Sequence, residues 1–275
     1  MKNLIRTAIL LMILMPAASL FAATKYGEAI IEQGKMTVLR EGQRMSFTST
    51  DGKTAINHSD VIRVGDNSRV VLETSEKATV TLGSNAVMQV EPWETRSDKG
   101  VFRMLFGRAR SKIVGLVANE RFNMRTATAT IGVKGSGHDN TVNAQGITVH
   151  SCTEHECLVT GRDGVEKLVP AGFVVVALIT GTTPPVPNPG LNTGLDEDPD
   201  EAGGEAVGAG IVTQDQLDES NTTDVDINAD VSGGGEGEGG GGGGETIVNQ
   251  PQFDLEGAVQ AGASQKVNID VRFEK

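Results

Sequence analysis

Residues 60–90, DVIRVGDNSRVVLETSEKATVTLGSNAVMQV, decide how the chain is read. The segment holds four short runs, DVIRV, RVVLET, ATVTL and AVMQV, rich in branched aliphatic residues and threonine. Between them stand Gly65-Asp66-Asn67 and Gly83-Ser84-Asn85. Such residues accept the tight and left-handed turns that join strands. The same pattern runs outward through AIIEQ, MTVLR, FRMLF, SKIVGLV, RFNMRT, ITVH, CLVTG and EKLVPAGFVVVAL. Turn signals recur at Gly34, Gly42, Asp51-Gly52, Gly107, Gly115, Asp163-Gly164 and Ala171-Gly172. Strand-type runs broken every ~8–12 residues by turn residues predict an all-β sandwich, roll or solenoid. The near-regular glycines point to stacked, rung-like turns. No segment after the N-terminus has a helical apolar period. FVVVALIT (173–180) reads as a buried strand.

The ends of the chain differ from its middle. Lys2 and Arg6 precede an apolar run from Ala8 to Met15, followed by Pro16 and small residues. This predicts a secretory signal peptide over 1–23, too short to span a bilayer. No other segment approaches spanning length, so no transmembrane segment is expected after signal removal. The protein is expected in the periplasm or outside the cell. Residues 24–182 carry 17 acidic and 19 basic residues, a net +2, and residues 183–275 carry 19 acidic and 3 basic residues, a net −16. The overall −12 argues against a nucleic-acid partner, whose binder would be basic. Residues 183–245 contain TPPVPNPG, LDEDPDEAGGE, DESNTTDVDINAD and GGGEGEGGGGGG, and are expected to be a disordered acidic, glycine-rich linker. In the last segment, 246–275, KVNIDVRF alternates apolar and polar residues. It predicts a short β segment that must pair with its own domain or with a partner.

Three groups of residues are candidates for function. His150, Cys152, His155 and Cys157 form H-x-C-x-x-H-x-C, with the cysteines flanking a four-residue loop. An exported setting favours a Cys152–Cys157 disulfide; free thiols and a Cys2His2 metal site are the alternatives. Arg103, Arg108, Arg110 and Lys112 lie in a basic stretch, 99–125. They are read either as an ordinary charged sheet face or as a polyanion site for acidic glycans or the chain's own acidic tail. Ser136, His138 and Asp139 fall together in KGSGHD but alternate in direction on an extended chain, so a turn is expected there rather than a triad. Trp93 is a candidate for stacking on a sugar or for ordinary packing.

Over about residues 26–180 the chain resembles the periplasmic FecR domain. The resemblance is carried by SDVIRVGDNSRVVLET, TLGSNAVMQV, MLFGRARSKIVG, RFNMRTATATIGVKGSGHD and EKLVPAGFVVV, in the family's order. The family's Arg-Gly-Thr stands here as Lys134-Gly135-Ser136, and the proline after its Thr as Ala127. The resemblance implies a β-solenoid-like or roll-like periplasmic fold and a non-catalytic interaction module. The best-known members relay surface signals to a cytoplasmic sigma factor, a task that needs a cytoplasmic segment. Only seven residues precede the apolar run here, so the domain is expected without that task. The expected partner is an envelope protein or polysaccharide, with no cofactor. A metal-binding module and a glycan-active enzyme are the alternatives.

Overall fold

The computed structural model describes residues 25–75, 77–91, 100–113, 122–133, 137–192, 194–222, 252–253 and 271–272. Among the described residues, eighteen strands form one hydrogen-bonded network in two layers. The first layer runs β4 (Lys53–Asn57), β1 (Lys25–Gln33), β6 (Arg69–Thr74), β7 (Ala78–Leu82), β9 (Gly100–Ile113), β12 (Gly137–Val142), β13 (Thr148–Cys152) and β16 (Phe173–Leu178). The short β17 (Gly181–Thr182) and β18 (Val186–Pro187) close its edge on β16. The second layer runs β3 (Gln43–Thr48), β2 (Lys35–Arg40), β5 (Val61–Val64), β8 (Val87–Val90), β9 again, β10 (Phe122–Arg125), β11 (Ala129–Val133), β14 (Glu156–Gly161) and β15 (Glu166–Pro170). β9 serves both layers because it bends at Gly107, where φ is +102°.

Alternation along each strand sends one set of side chains inward. Met36, Ile62, Met88 and Met104 from the second layer meet Ala29, Val80, Leu82 and Val175 from the first in one core. The layers therefore lie face to face as a sandwich. The turn at Gly34 and those at 65–68 and 83–86 carry the chain between layers, which explains the regular glycines without stacked rungs. Among the described pairings only β9–β10 is parallel, so a solenoid's parallel stacking is not what these ladders show.

The first part of the expected linker is folded. Residues 183–192 and 194–222 pack on the outer face of the first layer. Thr183 and Val176 exchange hydrogen bonds: the Thr183 N–H donates to the Val176 carbonyl (2.9 Å), and the Val176 N–H donates to Thr183 Oγ1 (3.0 Å). Asn192 Nδ2 donates to the Val149 carbonyl at 3.1 Å. A 3-10 turn, Pro199–Glu201, leads into α1 (Ala202–Gly208), and α2 (Gln214–Thr222) follows. Thr213 and Gln216 cap α2 reciprocally, Gln216 N–H to Thr213 Oγ1 at 3.2 Å and Thr213 N–H to Gln216 Oε1 at 2.9 Å. Gly203 lets the helices close, since a Cβ there would lie 2.9 Å from Leu217 Cδ1. Ala202, Ala206, Val212 and Leu217 cover Ile147, Val149, Val174, Val176 and Leu178. The FVVVAL run is thus apolar on both faces because both are covered, Phe173, Val175 and Ala177 against the sandwich core and Val174, Val176 and Leu178 under the helices.

Residues 223–245 of the expected linker, and most of KVNIDVRF, lie outside the described residues. Val271–Arg272 (β20) pairs antiparallel with Gln252–Phe253 (β19), within the tail and not with an edge of the sandwich. Among the described residues no helix is long and apolar enough to cross a membrane.

A chain ending at Thr182 would uncover five apolar side chains of β16, β13 and the residue before it. Each is worth ~1.5–3 kcal/mol on burial, less the cost of ordering the covering segment. A net loss of even ~3 kcal/mol lowers the melting temperature by roughly 6–12 °C at this size. A chain ending at residue 222 should melt at least that much higher than one ending at 182. Equal melting temperatures would show that the helices do not hold the sandwich.

Candidate functional site

β9 places Arg108, Arg110 and Lys112 on the outer face of the first layer, as alternation predicts. Arg103, on the other side of the Gly107 bend, faces out from the second layer instead. The four residues therefore do not form one surface, and each meets a carboxylate of its own chain. Arg103 Nε lies 3.7 Å from Glu91, which also takes Arg125 at 3.3 Å. Arg110 donates through Nε and Nη2 to Asp139 at 2.8 and 3.0 Å, which raises its pKa. Lys112 Nζ lies 3.4 Å from Glu154. Arg108 is 1% exposed. Its Nε and Nη2 donate to the carbonyls of Glu197 and Asp198, both at 3.1 Å, and Nη1 lies 2.8 Å from the Glu197 carboxylate. Asp196 takes Arg69 at 2.6 Å. Asp200 accepts the Ala144 N–H at 2.8 Å, and burial raises its pKa. Arg69 and Arg108 thus meet the chain's own stretch 196–205, whereas Arg110 and Lys112 meet Asp139 and Glu154.

The cysteines are joined. Cys152 on β13 and Cys157 on β14 form a disulfide with Cα atoms 6.0 Å apart, and both lie in the core. The bond ties one layer to the other and takes both sulfurs from the metal set. His155 is exposed on the turn with φ +58°, while His150 points into the sandwich, so the four candidate ligands do not converge. Among the described residues no cluster of three or more potential metal ligands occurs. His138 faces inward and Asp139 outward to Arg110, as alternation requires. Ser136 and Trp93 lie outside the described residues.

A buried polar group was not foreseen. In the β12–β13 ladder Asn140 stands opposite His150, and His138 opposite Cys152. Asn140 bridges the imidazoles, with Nδ2 2.8 Å from His138 Nδ1 and Oδ1 2.8 Å from His150 Nδ1. With the amide so turned, His138 carries its proton on Nε2 and His150 on Nδ1. The rings of Tyr26, Phe102, Phe122, His138 and His150 follow one another at 5.4, 5.6, 6.3 and 5.6 Å through the core. Two alternating positions on adjacent strands were the available signal, but their inward direction depended on the register.

The outer face of the second layer holds a different charge arrangement. Lys35, Thr37, Arg44, Arg63, Asp66 and Asn85 line a cleft of about 220 Å³, with Gly65 in its floor. Among the described residues, Lys35, Arg44 and Arg63 make no ion pair. They come from three strands and are up to 28 positions apart, so no local run announced them.

No family model and no curated protein matches the sequence. Three solved chains match. Two are crystal structures described as a candidate anti-sigma factor from Parabacteroides distasonis ATCC 8503, each 18% identical, with TM-scores of 0.40 and 0.39. Each match covers 51% of this chain and 61% of the other, so this chain spans about three fifths of those structures.

The histidine pair predicts acid sensitivity. Burial lowers His138 from 6.5 to about 4 and lowers His150 well below its usual value, where the neighbouring His138 also contributes. The unfolded chain takes up these protons below about pH 6.5, and the folded chain resists them. Stability is therefore full above pH 6.5 and falls as pH drops from 6.5 towards 4, by roughly 3 kcal/mol for His138 alone. The urea midpoint should fall between pH 6.5 and 5, above the ordinary carboxylate range, and His138→Gln should flatten that fall. An identical pH slope in the variant would contradict the assignment.

Proposed function

We propose that this chain is an exported, non-catalytic interaction module of the FecR type that binds a protein or polymer of the cell envelope, in signalling or assembly. The observation that carries the reading is the buried Cys152–Cys157 bond between the layers. Structural disulfides persist in oxidising compartments. This agrees with the export signal read in residues 1–23. The resemblance over 26–180 supports the type of module. SDVIRVGDNSRVVLET supplies β5 and β6, TLGSNAVMQV the end of β7 and all of β8, and MLFGRARSKIVG the part of β9 that bends.

Binding is favoured over catalysis by how the carboxylates are used. Asp139, Glu91, Glu154 and Glu197 each face an arginine or lysine at 2.8–3.7 Å. Such pairing occupies these carboxylates in contacts within the fold, which suits structure better than proton transfer.

The test is the fate of the full-length chain in a bacterial host. It should be shortened by about 23 residues, the length of the signal segment, and recovered in the exported fraction. Non-reducing peptide maps should show Cys152 linked to Cys157. A full-length cytoplasmic protein with both thiols open to alkylation would contradict the proposal. The six-residue loop from Cys152 to Cys157 makes the bond worth only ~2 kcal/mol by loop entropy. The reduced protein should therefore be destabilised without being wholly unfolded.

A further inference from the structure

The cleft on the second layer is built, not merely charged. Thr37 and Arg63 are direct partners in the β2–β5 ladder, and Arg44 stands on the neighbouring β3. Lys35 lies across Gly65, where a Cβ would meet the lysine's Cγ at 2.6 Å and its Cε at 2.8 Å. The turns beneath are locked to one another. The Lys35 N–H donates to Ser68 Oγ (3.0 Å), the Ser68 N–H to Ser84 Oγ (3.2 Å), and the Asn85 N–H to the Gly65 carbonyl (3.3 Å). Ser68, at the centre of this frame, is 2% exposed, while Gly65, Ser84 and Asn85 are half-buried around it.

The charge of the rim selects a ligand. Three cations and Asp66 give a net +2, the complement of a phosphate monoester, which carries ≈ −1.5 to −2 at neutral pH. Arg44 and Arg63 offer planar donor forks suited to phosphate oxygens, and Lys35 adds a point charge. The cleft's volume is below the ~300–1,000 Å³ of pockets that enclose drug-sized ligands, so it takes a terminal group rather than a whole nucleotide. Asp66 and Asn85 supply acceptors for hydroxyls beside the cations. A sugar ring offers those hydroxyls and the acyl chains of a phospholipid do not.

We infer that this cleft binds a phosphate monoester carried on a sugar, as displayed by a phosphorylated glycan. The inference deepens the envelope-binding proposal by naming a ligand chemistry, and it rests on that proposal only for where the ligand is met. Binding is measured on purified protein, so its failure is separable from a failure of export.

The experiment titrates the mature full chain by calorimetry with glucose 1-phosphate, inorganic phosphate, glucose and phosphatidate vesicles. Glucose 1-phosphate should bind at one saturable site, about tenfold more tightly than inorganic phosphate, and glucose should not bind. Arg63→Gln and the more exposed Arg44→Gln should each weaken binding by about tenfold or more, as loss of a charge-assisted contact does. Arg110→Gln, on the other layer, should change it less than about twofold, since distant exposed charges are screened. Melting temperatures near that of the parent chain identify variants that remain folded. Absence of saturable glucose 1-phosphate binding would overturn the inference. So would equal weakening by Arg110→Gln, or tighter binding of inorganic phosphate or phosphatidate vesicles than of the sugar phosphate.

Discussion

Among the described residues, β9 carries every strand-ladder link between the earlier strands β1–β8 and the later strands β10–β18. Its first part pairs with β8 and β10, and its second with β7 and β12. The strand can do both only if it bends at Gly107. A side chain there would suffer twice. The φ of +102° disfavours it, and a Cβ would lie 2.4 Å from Ala86 Cα. That contact fixes the 83–86 turn against the bend, helped by the hydrogen bond from the Gly83 N–H to the Arg108 carbonyl at 3.0 Å. The same turn carries Asn85 to the cationic cleft. At Gly83 a Cβ would meet the Leu195 carbonyl at 2.0 Å, so the covering segment rests on it as well. Bend, cleft frame and covering segment are thus one mechanical unit.

Charge is distributed unequally over this frame. On the first layer the acidic segment meets Arg69 and Arg108, and Arg108 is removed from water in the process. A guanidinium that is 1% exposed needs its partners, because a buried charge left unpaired costs several kcal/mol. The exposed pairs Lys25–Glu28 and Lys53–Glu73 contribute little by comparison. On the second layer Lys35, Arg44 and Arg63 make no ion pair among the described residues, so the two faces differ in how their charge is compensated.

The strands were legible because alternation and turn residues are local signals. The disulfide was legible because the spacing allows it and an exported setting was expected, and the shared face of Arg108, Arg110 and Lys112 because period two fixes it. The division of Arg103 from them was not, since it depends on a bend that only packing against Ala86 enforces. Residues 183–222 were hidden by their acids and glycines, whose partners, Arg69 and Arg108, lie far back in the sequence. Two signals did exist. FVVVAL needed cover on both faces, and Thr213 with Gln216 forms a capping box. The cleft had no signal of its own, because Lys35, Arg44 and Arg63 meet only through the ladders of β2, β3 and β5.

If β9 is the shared strand, neither half can keep its structure without the other. Hydrogen exchange of the mature chain in mild denaturant, followed by mass spectrometry, tests this directly. Amides of β1, β6 and β7 and those of β12, β13 and β16 should become exposed in one correlated step, with β9 opening at the same moment. Two separated steps, with one half still protected after the other has opened, would contradict the account.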